Sequence, residues 1–152
     1  LAEIAKYADG VGPWKPFIVP VKGTFDATGK MYDVNGDGAV NYMDTTSQPA
    51  TTLIADAHKA GLMIHTWTFR NEPKRLAFDY KGDPKNEYLQ FFRLGIDGLF
   101  SDFTDAAVAA RTSLPSGHVA AVLQRDVQDD AGLIRLSNEL QEIRELTPMG
   151  QR

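Results

Sequence analysis

Residues 33–44, DVNGDGAVNYMD, carry oxygen-bearing side chains at the spacing with which one loop wraps a hard divalent cation. Asp33, Asn35 and Asp37 stand at loop positions 1, 3 and 5, where side-chain oxygens converge. Gly38 takes position 6, where the chain turns sharply through a dihedral that side chains disfavour. Ala39 offers its carbonyl at position 7, Asn41 stands at position 9 and Asp44 closes the loop. The usual closing residue is a bidentate Glu, and Asp is one methylene shorter. The reading is therefore a weak Ca²⁺ loop, with affinity on the order of 10⁻⁵ to 10⁻³ M, which suits an extracytoplasmic setting. The competing reading is a surface turn without an ion, since Asp, Asn and Gly favour turns for backbone reasons.

Two further groups stand at the ends of short apolar runs. Residues 62–68, LMIHTWT, run into Phe69, Arg70, Asn71 and Glu72. Residues 96–100 run into Ser101, Asp102, Phe103, Thr104 and Asp105. Such runs, with helical periods between them, read as parallel strands in successive βα units. Ligands in such sheets gather at the carboxyl ends of the strands, where both clusters lie.

The elements that must position these groups follow from periodicity and punctuation. A helical remnant over residues 1–7 is broken by Gly10, Gly12 and Pro13. Residues 17–21 predict a strand, flanked by Pro16 and Pro20. Residues 22–50 hold the 33–44 loop and lack the helical period of the usual entering helix. Thr51 or Thr52 caps a helix over 53–60, which Gly61 ends. Asn86 caps a helix over 87–94, whose Tyr88, Phe91 and Phe92 read as core, and Thr104 caps a helix over 105–111. Residues 114–117 read as a linker, and 129–146 as an amphipathic helix with Leu133, Leu136, Leu140 and Ile143 on one side. His65 lies inside a strand pattern, where a packed histidine bonded to its neighbours is the ordinary reading, and His58 falls on an outer helix.

The composition, 43% hydrophobic and 24% charged, is that of an ordinary globular protein. A net charge of −4 gives no basic footprint for nucleic acid, and no apolar stretch approaches the roughly 20 residues of a membrane span. The absence of cysteine excludes disulfides and thiolate metal sites.

Residues 57–72, AHKAGLMIHTWTFRNE, and 95–111, GIDGLFSDFTDAAVAAR, resemble the last two strand–helix units of the glycerophosphodiester phosphodiesterases. Residues 87–95, EYLQFFRLG, resemble the joining helix of the periplasmic-type branch, and residues 4–15, IAKYADGVGPWK, its sixth strand region. The Asp-closed 33–44 loop is similar to the EF-hand-type loops of dockerins. The resemblance implies an α/β fold: about the last three βα units of a TIM barrel over 1–112, with the loop insertion, then a linker and C-terminal helix over 113–152.

It also implies metal-dependent hydrolysis of a small glycerophosphodiester to glycerol 3-phosphate and an alcohol, with a catalytic Ca²⁺ or Mg²⁺ in the complete enzyme. The family's catalytic histidines and metal-binding acids lie in the first half of the barrel, marked by His-Arg-Gly and Glu-x-Asp signatures. Neither occurs here, and His58, His65 and His118 do not replace them. The expectation is thus a fragment without catalytic residues, whose partner is the N-terminal half of the same barrel. Within it, Trp67 and Phe103 are candidates to pack against the substrate, with barrel packing as their alternative. Arg70 is a candidate to face its phosphate, against an ordinary ion pair with Glu72. The rival expectation is a non-catalytic calcium-binding or interaction module that retains barrel-derived pieces.

Overall fold

A computed structural model describes residues 1–114; Gly117, His118 and the helix expected over 129–146 lie outside the described residues. In chain order the regular elements are β1 (Gly10–Val11), β2 (Val21–Gly23), β3 (Thr45–Ser47), α1 (Leu53–Lys59), β4 (Met63–Phe69), α2 (Pro84–Leu94), β5 (Gly98–Ser101) and α3 (Thr104–Thr112). Short 3₁₀ turns lie between them. The strands β1, β4 and β5 form one parallel sheet with β4 in the centre. The strands β2 and β3 form a separate antiparallel pair.

Helix ends follow local chemistry. Gly61 (φ +76°) and Gly95 (φ +93°) adopt the left-handed conformation that closes α1 and α2. Two capping expectations need correction. Asp83, not Asn86, caps α2: its side chain accepts from the Lys85 amide at 2.9 Å, and Pro84 takes the first helical position, where no amide donor is needed. Asn86 instead donates to the Tyr80 carbonyl at 3.0 Å. Thr104 is the first residue of α3 and makes no cap; Ser101 Oγ accepts from the Phe103 amide at 2.9 Å.

The strand expected over 17–21 is also displaced. Pro16 seeds a 3₁₀ turn, Lys15–Phe17, and extended pairing begins only past Pro20, at Val21. The parallel partner of β4 is β1, in the stretch that glycine and proline punctuation marked as a break. The insertion is therefore a long excursion zipped at its base. The β2–β3 pair is extended by Gln48 N to Pro20 O at 2.7 Å and Thr51 N to Ile18 O at 2.8 Å.

The two faces of the parallel sheet differ. One is buried: Ile64 and Phe69 of β4 pack with Ile54 and Ala57 of α1, Tyr88 and Phe91 of α2, and Ala107 and Ala110 of α3. Phe69 anchors this layer, stacked on Tyr88 at 5.0 Å and edge-on to Phe91 at 5.2 Å. Tyr88 and Phe91 are the buried core residues that helical spacing indicated, while Phe92 is half-buried. The opposite face presents exposed Met63, His65, Trp67 and Phe100, beside Gly10, Gly12 and Gly98. His65 makes no side-chain hydrogen bond among the described residues, contrary to the bonded histidine expected, and its ring occupies the space that a Cβ on Gly98 would need.

Gly10 is required by close approach: a Cβ there would meet the Met63 carbonyl oxygen at 2.9 Å, whereas at Gly12 the nearest atom is 3.4 Å away. Gly10→Ala should destabilise the protein by about 1–3 kcal/mol through the strained β1–β4 pairing. Gly12→Ala should fall well short of that. Urea midpoints of the two variants check it, and equal midpoints would contradict it.

Candidate functional site

The carboxyl ends of β1, β4 and β5 open on a cleft of about 320 Å³. Its mouth is aromatic and charged. Trp14, just past β1, stacks on Trp67 of β4 with ring centroids 6.5 Å apart. The Trp67 indole donates to the Gly12 carbonyl at 2.7 Å, which fixes the ring's orientation. Arg70 lines the same mouth, bridging Glu72 and, at 2.9 Å, Asp102 beyond β5. The hydrogen bond from Arg70 holds the Glu72 carboxyl down to about 2. Glu72 and Asp102 thus already answer the guanidinium charge.

The floor is made by two residues 72 positions apart. Lys15 Nζ lies 2.6 Å from Glu87 Oε1 in the first turn of α2, with side-chain exposures of 12% and 6%. The ammonium also sits 4.8 Å over the Phe69 ring, a cation–π contact made where solvent is scarce. Removing two charges from water is expensive, and a pair this close offsets that cost through mutual attraction. One atom is left over: Glu87 Oε2 is buried and has no hydrogen-bond partner. Burial pushes the Glu87 carboxyl above the usual carboxylate range, and the Lys15 charge opposes the shift. Nearby, Tyr80 donates to Gln90 Oε1 at 2.6 Å, and burial pushes its phenol far up.

The insertion reaches this cleft directly. Tyr42, within the 33–44 loop, lines it together with Val21 at the base of β2. Ser47 of β3 donates its backbone amide to Asp79 Oδ1 at 2.9 Å and its hydroxyl to the same carboxylate, tying the insertion to the segment after β4. Within the loop, Asp33 accepts from the amides of Gly36 and Gly38 at 2.7 and 2.8 Å, and Asp37 from that of Ala39 at 2.8 Å. Asn35 Oδ1 accepts from the Asp37 amide at 2.9 Å, and Asn41 Nδ2 donates to the Ala39 carbonyl at 3.2 Å. Gly36 and Gly38 adopt φ of +72° and +84°.

Asn41 and Asp44 form a reciprocal capping box over a 3₁₀ turn, which folds the closing residue back under the loop. Asp44 is buried, its carboxyl held low by the amides of Asn41, Val34 and Asn35. Among the described residues, no group of three or more His, Cys, Asp or Glu is placed to hold a metal ion.

Of the residues singled out from sequence, Trp67 and Arg70 are brought together in one cleft. Phe103 is half-buried at the start of α3 and does not line it. His58, on α1, pairs with Asp97 at 2.9 Å and does not line the cleft. Trp14, Lys15, Tyr42 and Glu87 were not singled out. Trp14 and Lys15 fall within residues 4–15, but the partners that give them meaning are remote in sequence.

Comparison with known proteins fits this arrangement. Residues 18–106 match the glycerophosphoryl diester phosphodiesterase family, and the chain belongs to it. It is 36% identical over 105 residues to the glycerophosphodiester phosphodiesterase GDPD6 of Arabidopsis thaliana, across 68% of this chain and 23% of that protein. It is 33% identical over 141 residues to GDPDL7 of the same plant, across 86% of this chain and 16% of the relative. Over a shorter stretch of 65 residues it is 45% identical to GDPDL1, across 41% of this chain and 8% of that relative. The chain therefore spans less than a quarter of the length of these relatives. Membership implies a TIM-barrel fold, and the described part is a small α/β unit of strands and helices.

Two outcomes test the electrostatics. Glu72 has its folded-state pKa lowered from 4.5 to about 2, so the stability it contributes is present above pH 4.5 and lost as pH falls through about 2. The thermal-midpoint difference between wild type and Glu72→Gln should be constant above pH 4.5 and shrink toward pH 2. A difference that grows on acidification contradicts the pairing. For the floor, Lys15→Met should cost about 3–5 kcal/mol by leaving a buried carboxylate uncompensated. Lys15→Met/Glu87→Met, which leaves no charge there, should recover most of that loss in denaturant titration.

Proposed function

We propose that this chain supplies part of the substrate-binding wall of a glycerophosphodiester phosphodiesterase of the periplasmic type, which hydrolyses its substrate to glycerol 3-phosphate and an alcohol. The observation that carries the reading is the cleft at the carboxyl ends of three parallel strands, where ligands of βα folds bind. Trp67, stacked on Trp14, packs an apolar face against the substrate's carbon skeleton. Arg70 stands at the mouth as a candidate for the phosphate, although Glu72 and Asp102 already pair with it. Phe103 acts less directly, by fixing the start of α3 beside that mouth.

The central acid–base groups and the catalytic divalent cation belong to the N-terminal half of the barrel. The carboxylates that line the cleft, Glu87 and Asp102, are each committed to a cation of this chain, so they do not fit a metal centre. The exposed sheet face bearing Met63, His65 and Phe100 would be covered by the remaining barrel strands. A second reading, a non-catalytic calcium-binding or interaction module, rests on the wound 33–44 loop, in which Asp33 accepts from the Gly36 and Gly38 amides.

The 33–44 loop is proposed to bind Ca²⁺ through Asp33, Asn35, Asp37, the Ala39 carbonyl, Asn41 and Asp44. Two left-handed glycines and a capping box already wind it. The ion's work is structural: it holds Tyr42 at the cleft, in an extracytoplasmic compartment where calcium is plentiful. No helix of the described residues is long and apolar enough to cross a bilayer.

The test uses the complete polypeptide that carries this chain, with glycerophosphocholine as substrate. Hydrolysis supports the enzyme, whereas calcium-dependent partner capture without hydrolysis supports the module. In the same polypeptide, Asp33→Ala/Asp37→Ala should abolish calcium-dependent thermal stabilisation and raise the Michaelis constant. No change in either removes the calcium role.

A further inference from the structure

The cleft floor is over-equipped for packing alone. Glu87 Oε1 is answered by Lys15, but Oε2 is buried without a donor. Lys15 has three N–H donors, of which one meets Glu87 and the ammonium as a whole rests against the Phe69 ring. Both residues line the cleft, so its floor holds one buried, unmet acceptor beside a donor-rich group.

We propose that Lys15 and Glu87 form a hydroxyl-recognition post that binds two neighbouring hydroxyls of the substrate. One hydroxyl donates to Glu87 Oε2 and the other accepts from Lys15 Nζ. The proposal rests on the phosphodiesterase reading above and specifies what its cleft selects. The chemistry excludes the alternatives: a quaternary ammonium has no N–H to give Oε2, and any ammonium would stand beside the Lys15 charge. A hydroxyl both donates and accepts, and meets both demands at once. The stacked Trp14–Trp67 pair supplies a flat apolar wall for the carbon skeleton that carries the hydroxyls. The vicinal hydroxyls belong either to the glycerol end common to all such diesters or to a polyol as the alcohol released.

The experiment uses the complete polypeptide carrying this chain, with glycerophosphoinositol and glycerophosphocholine as paired substrates. Glu87→Gln keeps the shape but sets an amide N–H₂ where Oε2 stood. It should raise KM about tenfold, the scale of one lost charged hydrogen bond, with kcat changed less than about twofold. Lys15→Met/Glu87→Met, which buries no unpaired charge, should do the same and guards against a mere folding defect. A rise confined to the inositol diester upholds the post and assigns the hydroxyls to the released alcohol. An equal rise for both upholds it and assigns them to the glycerol end. Hydrolysis of both substrates with unchanged KM in both variants overturns the inference alone. Hydrolysis of neither by the wild type overturns the phosphodiesterase reading and the inference with it.

Discussion

The structure depends on an asymmetry of one small parallel sheet. On one side, Ile64 and Phe69 are sealed under α1, α2 and α3, and burial of this layer is the main source of apolar stabilisation in the described residues. On the other side, glycines of β1 and β5 leave room for His65 and the side chains of Met63 and Trp67 stand open. A sheet of βα units in this family has both faces covered, helices outside and packed side chains within. The strand order and parallel sense follow from that logic, and so does the position of the cleft at the strands' carboxyl ends.

Everything that shapes the cleft converges on it from outside the sheet. The Lys15–Glu87 pair fastens the turn after β1 to the first turn of α2. The zipped base of the insertion and the Ser47–Asp79 contact bring Tyr42 over the same space. Arg70 links the loops that follow β4 and β5 through Glu72 and Asp102. Three connections that are distant in sequence thus share one floor and one mouth. The first and third are ion pairs, and the second is a backbone ladder reinforced by a Ser–Asp hydrogen bond.

Much of this was legible in the sequence. Apolar runs at 62–68 and 96–100 gave β4 and β5 to within two residues, and Tyr88 and Phe91 announced the buried side of α2 by helical spacing. Trp67 and Arg70 stand out in the sequence because they end a strand, and both line the cleft. What failed did so for local reasons. Residues 17–21 have the composition of a strand, but Pro16 favours a turn and delays pairing to Val21. Asn86 is a good cap by type, yet Asp83 before Pro84 is better placed. Glu87 was invisible because its partner lies 72 positions away, and no periodicity reports such a pair.

The central claim is that the open sheet face is an interior surface of a larger barrel. Hydroxyl-radical footprinting of Met63 and Trp67 tests it most directly, comparing this chain with the complete polypeptide. In this chain both side chains are nearly half exposed, at 48% and 44%, and should be oxidised readily. In the complete polypeptide Met63 should be strongly protected and Trp67 partly so, while Tyr7, 80% exposed, serves as the internal reference. Equal oxidation of Met63 in both, relative to Tyr7, would contradict the account.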